Sequence, residues 1–262
     1  MNVPPIYLEA VGIVAPGLSG ADARGAVACD AEWEPTDNWS ATPECLSPRQ
    51  AKRLSPTTRL ALSCAEQIGP VLPDDAGWVY ASSIGEGVTL DVILQALSED
   101  EILISPMKFQ NAVHNAAVGQ WTIAKTLKGP STSIAAYDET AGAGLLKAML
   151  QCALEQRPVG LVIYDWPLPP PLHEKRPIEV PVAVGFAFSP VKTPTSSCKV
   201  TCAPGAGDLT PACSAPGIRL CMTGNPAAAA LPLLEVVLTD RIGSVTLGLS
   251  GGGRLSISVT AP

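Results

Sequence analysis

Residues 129–165 have the sequence GPSTSIAAYDETAGAGLLKAMLQCALEQRPVGLVIYD, and the patterns in this stretch decide the predicted fold. Small and β-branched residues predict a strand over 131–136, and the alanines, glycines and leucines that follow predict a helix over 140–155. The apolar run at 159–164 is typical of a strand buried on both faces of a sheet. A strand, a sharp turn, a covering helix and a second buried strand indicate an α/β protein with a mixed sheet.

The flanking sequence extends this pattern in both directions. Upstream, we predict a strand at 6–14, a loop-rich stretch at 17–48, a helix at 49–67 capped by Ser47, a strand and turn at 77–87, a helix at 88–97, and a loop that becomes a helix within 105–121. Downstream, we predict a proline-rich loop from Trp166, a strand at 182–188, a loop at 193–217, a strand at 218–222, a helix from Asn225 to about 234 with Pro226 first, and two strands at 244–249 and 254–260 joined as a hairpin.

The composition excludes several classes of function. The 17 basic and 24 acidic residues give a net charge of −7, and no basic run is dense enough to follow a nucleic-acid backbone. No apolar run is long enough to span a membrane, and the amino terminus lacks the pattern of an export signal, so we expect a cytoplasmic protein. The eight cysteines are expected to be reduced. Four of them, Cys198, Cys202, Cys213 and Cys221, have spacing too irregular for a zinc site.

The turn at Tyr137, Asp138 and Glu139 is where chemistry is most expected. A buried strand that turns into a helix places the turn residue at the helix amino terminus, where unpaired N–H groups and the helix dipole favour an anion. Enzymes use this position for thiolate nucleophiles. The segment resembles the nucleophile turn of β-ketoacyl synthases, in which a Gly-Pro-x-x-(Ser/Thr)-Val strand precedes Ala-Cys-Ala and a small-residue helix. In that alignment Asp138 occupies the position of the family's cysteine.

Two further stretches support the resemblance. LSPTTRLALSCAEQ at 54–67 resembles the family's first long helix, and SPMKFQNAVHNAAVGQWTIA at 105–124 resembles the segment before the nucleophile turn. The second stretch and the short chain resemble the chain length factors of aryl polyene, xanthomonadin-like pigment clusters. The resemblance covers most of residues 1–190. It implies a thiolase-like α/β fold with a mixed sheet and covering helices, in one domain (1–262) composed of an amino-terminal half (1–165) and a shortened carboxyl-terminal part (166–262).

The resemblance also implies that this chain does no chemistry of its own. A ketosynthase needs two histidines, or a histidine and an asparagine, downstream of its cysteine. Here His114 lies upstream of the turn, and His173 lies in the proline-rich loop without the family's His-Gly-Thr context. Chain length factors more often carry glutamine at the cysteine position, so the aspartate is a departure. From its place at a helix start, we predict that the Asp138 side chain caps the helix.

The expected role is that of a subunit that pairs with a catalytic ketosynthase and shapes its acyl tunnel, with no cofactor and no metal. The acyl carrier protein is expected to reach the complex, and the exposed cations near the start of the helix at 49–67 are its docking candidates. The candidates for the tunnel and the subunit interface are Met107, Phe109, Gln110, Asn111, His114, Asn115, Ser133, Tyr137 and Asp138, and those for carrier docking are Arg49, Lys52 and Arg53.

Two alternatives remain open from the sequence. In the first, the chain is an independent acyltransferase or thioester hydrolase that uses His114 with a serine such as Ser131 or Ser133. Asn111, His114 and Asn115 have the spacing of one helical face, which suits either an acid/base site or an interface. In the second, the chain is a structural partner that stabilises a ketosynthase without touching its tunnel.

Overall fold

The computed structural model describes residues 3–20, 25–27, 33–214, 216–239 and 242–262. The predicted loop at 17–48 therefore lies partly outside the described residues, and Cys29 lies wholly outside them. Short 3-10 turns occur at Gly69–Val71, Tyr137–Glu139, Pro226–Ala230 and Ser250–Gly252. The strands and helices in chain order are β1 (Ile6–Ala15), β2 (Leu18–Ser19), α1 (Pro48–Ala51), α2 (Pro56–Ile68), β3 (Gly77–Ala81), α3 (Gly87–Leu97), α4 (Pro106–Asn111), α5 (Ala116–Lys125), β4 (Ser131–Ile134), α6 (Thr140–Glu155), β5 (Val159–Asp165), α7 (Leu172–Lys175), β6 (Val182–Ser189), β7 (Cys198–Pro204), α8 (Pro216–Cys221), α9 (Leu231–Leu238), β8 (Gly243–Leu249) and β9 (Gly253–Thr260).

Within the described residues, nine strands form one mixed sheet in the order β4-β3-β5-β6-β1-β7-β9-β8, with β2 paired to β1. Strand β3 runs parallel to β4 and β5, and the other paired strands run antiparallel. Strands β5 and β6 are buried along their whole length, which explains their continuous apolar sequences. The predicted α/β architecture with a mixed sheet is confirmed.

Helix α6 lies between two parts of this sheet. Gly144 faces β3, where an added Cβ would lie 2.7 Å from the Cβ of Ala81. Gly142 faces β8, where an added Cβ would collide with the carbonyl oxygen of Gly248. Residues two apart on a helix point in nearly opposite directions, so the sheet curls around α6 and covers both of its faces. The glycines at these contacts permit that close approach.

Helices α2 and α5 cover the other face of the central strands. Trp78 of β3 packs edge to face on Trp121 of α5, with ring centroids 5.1 Å apart. The helix predicted at 49–67 is in fact two helices, α1 and α2, separated by residues 52–55. The break occurs because Pro56 disfavours a helical conformation at Ser55, whose hydroxyl instead accepts the N–H of Thr58 at 2.9 Å. The predicted cap at Ser47 is confirmed.

The carboxyl-terminal part differs from the predictions in three places. The stretch predicted as a loop contains β7, which extends the sheet by pairing with β1 and β9. The stretch predicted as a strand at 218–222 belongs to helix α8, because Ile218 and Cys221 are buried at helical spacing. The helix predicted from Asn225 starts as a 3-10 turn capped by Asn225 and continues as α9. The predicted hairpin of β8 and β9 is confirmed.

Candidate functional site

The turn between β4 and α6 is held by a short network of hydrogen bonds. The Thr140 hydroxyl accepts the N–H of Ala136 at 2.9 Å and donates to the carbonyl of Tyr137 at 2.7 Å. Tyr137 has a φ of 54°, a left-handed conformation that is uncommon for a residue with a bulky side chain. The network therefore holds the backbone in a sharp bend and leaves the side chains of Tyr137 and Asp138 62% and 66% exposed.

The carboxylate of Asp138 is bound by an arginine and not by the helix. Its Oδ1 lies 2.8 Å from Nη2 of Arg176, which follows α7 in the proline-rich segment. The guanidinium carbon of Arg176 also lies 3.7 Å from the ring centroid of Tyr137. The prediction that Asp138 caps α6 is wrong: the cap position is Glu139, and neither side chain donates or accepts a capping bond. The ion pair draws the carboxylate away from the helix N–H groups.

The side chains of the two histidines do not contact Asp138 and have other partners. His114 Nε2 lies 2.9 Å from the carbonyl oxygen of Ser82, so this nitrogen carries the proton and donates it. His173 faces Glu179 at 3.8 Å. Among the described residues, no hydrogen bond or ion pair connects either histidine with Asp138, or His114 with Ser131 or Ser133. The arrangement needed for a serine nucleophile with a histidine base is therefore not formed in the described chain.

The segment predicted as a loop that becomes a helix within 105–121 contains two helices, α4 and the start of α5. Helix α4 ends at Asn111, and His114 lies in the turn before α5, which begins at Ala116 after Asn115. Asn111, His114 and Asn115 therefore do not share one helical face, and the prediction from their spacing is wrong. The early start of α4 follows from Pro106, whose ring fixes φ at a helical value in the first turn.

A buried polar cluster at the carboxyl ends of β3 and β5 was not predicted as a site. Oδ1 of Asp165 accepts the Ser82 hydroxyl at 2.8 Å and the N–H of Ser83 at 2.9 Å. Burial raises the pKa of Asp165 to about 6, although these hydrogen bonds oppose the rise. Its Oδ2 has no hydrogen-bond partner among the described residues. The signal was present in the sequence, because each of these strands ends directly at a polar residue.

The neighbouring Glu86 is also buried and satisfied by hydroxyls. Its carboxylate accepts the hydroxyl of Thr58 at 2.6 Å and that of Thr89 at 3.1 Å. These bonds connect α2 with the start of α3, and thereby place the turn after β3 against the first long helix. Glu86 therefore acts as a structural hydrogen-bond acceptor, because both of its donors are threonine hydroxyls of the surrounding helices.

The tunnel and interface candidates are mostly at the surface of this chain. Phe109 and Met107 are 67% and 45% exposed, Gln110 and Asn115 are exposed, and Asn111 is half-buried. Helix α3 adds Leu90, Leu94 and Leu97, each 45–48% exposed at helical spacing. Ser133, in contrast, has a buried hydroxyl without a partner among the described residues. The exposed apolar side chains form a surface of the kind that partner proteins cover.

The carrier-docking candidates lie beside the tunnel candidates. Arg49, Lys52 and Arg53 are all exposed, and none of them is ion-paired within the described residues. A groove of about 330 Å³ separates the start of α2 from α3 and α4. Its lining includes Lys52, Arg53, Met107, Lys108 and Asn111 together with apolar side chains. The fold thus brings two predicted sets of residues, which are far apart in sequence, to one groove.

The remaining expectations concern metals, thiols and membranes. Among the described residues, no three metal-ligating side chains lie together. Burial raises the pKa of the thiols of Cys152, Cys213 and Cys221 to about 12, so they remain protonated at neutral pH. In the part of the chain that the structure describes, no helix combines the length and the apolar character needed to cross a bilayer.

Comparison with known proteins agrees with the sequence resemblance. Residues 28–215 match the family described as "Beta-ketoacyl synthase, N-terminal domain". No curated protein matches.

Several solved structures are similar along nearly their whole length. A chain of the ketosynthase ApeO in complex with its chain length factor ApeC from Xenorhabdus doucetiae is 22% identical, with a TM-score of 0.72 and coverage of 97% of this chain and 98% of that one. A chain of the ishigamide ketosynthase/chain length factor is 14% identical, with a TM-score of 0.72 and coverage of 99% and 100%. A chain of AntDE:AntF, a type II polyketide synthase acyl carrier protein in complex with its ketosynthase, is 9% identical, with a TM-score of 0.70 and coverage of 99% and 100%. The predicted thiolase-like fold is confirmed.

Proposed function

Because this chain belongs to the β-ketoacyl synthase N-terminal domain family, we propose that it is a non-catalytic chain length factor. In this role it pairs with an active ketosynthase and shapes the acyl tunnel of that enzyme in aryl polyene or polyketide synthesis. The observation that carries the proposal is Asp138, which stands where the family has its nucleophilic cysteine and is ion-paired to Arg176.

The chemistry around the turn supports the absence of catalysis. A ketosynthase step needs a thiolate that accepts the acyl group and a base or donor that acts on the thioester carbonyl. At this turn the anion is a carboxylate already neutralised by a guanidinium, and both histidines are engaged by Ser82 and Glu179. A carboxylate held in an ion pair is a poor nucleophile, so the turn is suited to a structural role.

The surface supports a protein partner. Leu90, Leu94 and Leu97 expose one face of α3, and Phe109 and Tyr137 add exposed aromatic rings. Strand β4 is at the edge of the sheet, where its outer backbone groups can pair with another chain. The similar structures include complexes of a ketosynthase with a chain length factor. A ketosynthase is therefore the partner that we propose for this surface.

Length control follows from steric volume in this proposal. Met107, Phe109 and Gln110 project from α4 at the surface, and the remaining candidates Asn111, His114, Asn115, Ser133 and Tyr137 lie on neighbouring elements. A bulky side chain that enters the partner's tunnel ends chain growth after fewer extensions. Arg49, Lys52 and Arg53, with Lys108 across the groove, offer the positive charge that an acidic carrier protein requires. One of the similar structures includes an acyl carrier protein.

Reconstitution with a catalytic ketosynthase from the same source as this chain tests the proposal. The two chains are expected to co-purify, and the pair is expected to extend carrier-bound acyl chains that this chain alone leaves unchanged. Turnover by this chain alone, abolished by His114→Ala, would establish the hydrolase or acyltransferase alternative.

Phe109→Ala in the reconstituted pair is expected to lengthen the product by one or more extension steps, as judged by mass spectrometry. Gln156→Ala, in the loop after α6, serves as the matched control that leaves product length unchanged. If neither Phe109 nor any other tunnel candidate changes product length while the complex persists, the chain is a structural partner only.

A further inference from the structure

Residues 166–177 run across the carboxyl ends of the three parallel strands. The segment begins directly after β5, whose last residue, Asp165, is fixed by hydrogen bonds from Ser82 and Ser83 after β3. It ends beside the turn that follows β4, where Arg176 contacts Asp138. In α/β proteins, ligands usually bind at the carboxyl ends of the parallel strands. The segment 166–177 therefore covers a region that serves as a binding site in many proteins of this class.

The start and middle of the segment are held by apolar contacts. Trp166 stacks on Trp39, with ring centroids 6.3 Å apart and planes inclined by 17°. Leu168 lies against Gly87, so closely that any side chain at residue 87 would collide with it. The contacts of Trp166 and Leu168 therefore fix the first part of the segment on the body of the protein.

The far end of the segment is held by one side chain. The side chain of Arg176 is only 13% exposed, yet its guanidinium contacts two residues that are largely exposed. It lies 2.8 Å from the Asp138 carboxylate, and its carbon lies 3.7 Å from the centroid of the Tyr137 ring. A planar guanidinium can make an ion pair at its edge and a stacking contact on its face at the same time, which an ammonium group cannot do as well. Neither its Nε nor its Nη2 makes a hydrogen bond among the described residues, so the guanidinium is held by the ion pair with Asp138 and by the stacking on Tyr137.

We propose that residues 166–177 form a strap over the turn, and that Arg176 is the positioning residue that fastens the strap through Asp138 and Tyr137. The strap holds the exposed side chains of the turn in one arrangement, and the Asp138 carboxylate is its anchor. The fastening of the strap does not depend on the proposed function.

The electrostatic part is tested with a thiol in place of the carboxylate. In Asp138→Cys, the nearby guanidinium is expected to lower the thiol pKa by about one unit from its ordinary value of about 8.5. The pKa is the midpoint of the pH dependence of iodoacetamide alkylation of the peptide that contains residue 138, followed by mass spectrometry. Cys45, which is half-buried, does not interfere, because burial and Glu66 raise its pKa to about 12.

Three double variants identify the source of the shift. Asp138→Cys with Arg176→Met is expected to return the thiol pKa to its ordinary value, and with Arg176→Lys to keep most of the lowering. The control is Asp138→Cys with Arg157→Met, because Arg157 makes a separate ion pair with Asp75 at 3.9 Å. An equal thiol pKa with and without Arg176 would overturn the proposal.

The mechanical part is tested by cleavage of the strap. Trypsin cuts after Lys175, which is exposed and lies next to Arg176. Asp138→Asn leaves the sequence around this bond intact, and it is expected to speed cleavage about two- to fivefold, as befits loss of a partly exposed ion pair. Asp75→Asn is the control, with an unchanged rate. Equal rates for Asp138→Asn and the native chain would show that the strap is not fastened there.

Both assays use this chain without a partner, so they separate the two proposals. A shifted thiol pKa and faster cleavage without complex formation would support the strap and refute the proposed chain length factor. Complex formation with no change in either assay would do the opposite.

Discussion

Asp138 changes the chemistry of its turn while keeping the charge of the turn. A thiolate and a carboxylate are both anions, and the positive charge of Arg176 stabilises either. The carboxylate differs because it forms an ion pair with the guanidinium and is a weaker nucleophile than a thiolate. A single residue therefore explains how the local structure of a nucleophile turn persists in a chain that we propose to be non-catalytic.

Asp165 is a buried carboxylate whose protonation affects stability. Its pKa in the folded chain is about 6, against an ordinary value of 3.8, because burial penalises the carboxylate. A raised pKa means that the folded chain holds this proton more tightly than the unfolded chain. The contribution is therefore fully present below pH 4 and is lost as the pH rises through 6.

We expect the free energy of unfolding of the native chain, relative to Asp165→Asn, to fall by about 2 kcal/mol between pH 4 and pH 7. Urea unfolding of both proteins at several pH values measures this difference, and contributions of other groups cancel in it. Asp75→Asn serves as the control, because Asp75 is 73% exposed. A difference independent of pH would contradict the prediction.

At the scale of elements, α6 shows why glycine is required inside a helix. Gly142 and Gly144 carry no side chain, so β8 and β3 approach the helix backbone from both sides. Alanine is the better helix former by about 1 kcal/mol, so propensity alone favours replacement of either glycine. Packing decides otherwise at these two positions.

Gly142→Ala is expected to destabilise the chain by about 1–3 kcal/mol, because its Cβ would overlap the carbonyl of Gly248. Gly119→Ala in α5 is the matched control, since no atom lies within 4 Å of its added Cβ. That substitution is expected to stabilise by up to about 1 kcal/mol through helix propensity. Denaturant unfolding of both variants measures the two effects, and a stabilising Gly142→Ala would show that the sheet does not press on α6.

At the scale of the whole molecule, the exposed apolar face of α3 is the feature that a partner must cover. Leu90, Leu94 and Leu97 are spaced to lie on one face, and each is nearly half exposed. In a lone chain such a face favours self-association, whereas in a complex it supplies buried area. The proposed heterodimer gives it a use.

Leu94→Glu is expected to weaken binding of the partner ketosynthase at least about tenfold, because it places a charge in a desolvated contact. The chain's own unfolding should change little, since Leu94 is 48% exposed. Leu154→Glu is the control: this residue is 66% exposed near the end of α6 and is not part of α3. Equal loss of affinity in both variants would show that α3 is not part of the interface.

Most elements of the fold could be predicted from local sequence. Strands β3, β5 and β6, helices α3 and α6 and the final hairpin appear where the hydrophobic patterns place them. Local sequence patterns fail in three places: the helix predicted at 49–67 breaks at Pro56, the strand predicted at 218–222 is part of α8, and the loop predicted at 193–217 contains β7. These choices depend on which neighbouring element buries each apolar face, and that is not local information.

The sequence by itself determined the turn, the family resemblance and the carboxylate at position 138, because these depend on residue identity and order along the chain. Only the tertiary structure decided what that carboxylate contacts. Arg176 is 38 residues further along the chain, and no pattern links the two positions. The curled sheet around α6 and the strap over the parallel strands bring them to 2.8 Å, because the ends of neighbouring parallel strands meet at one edge.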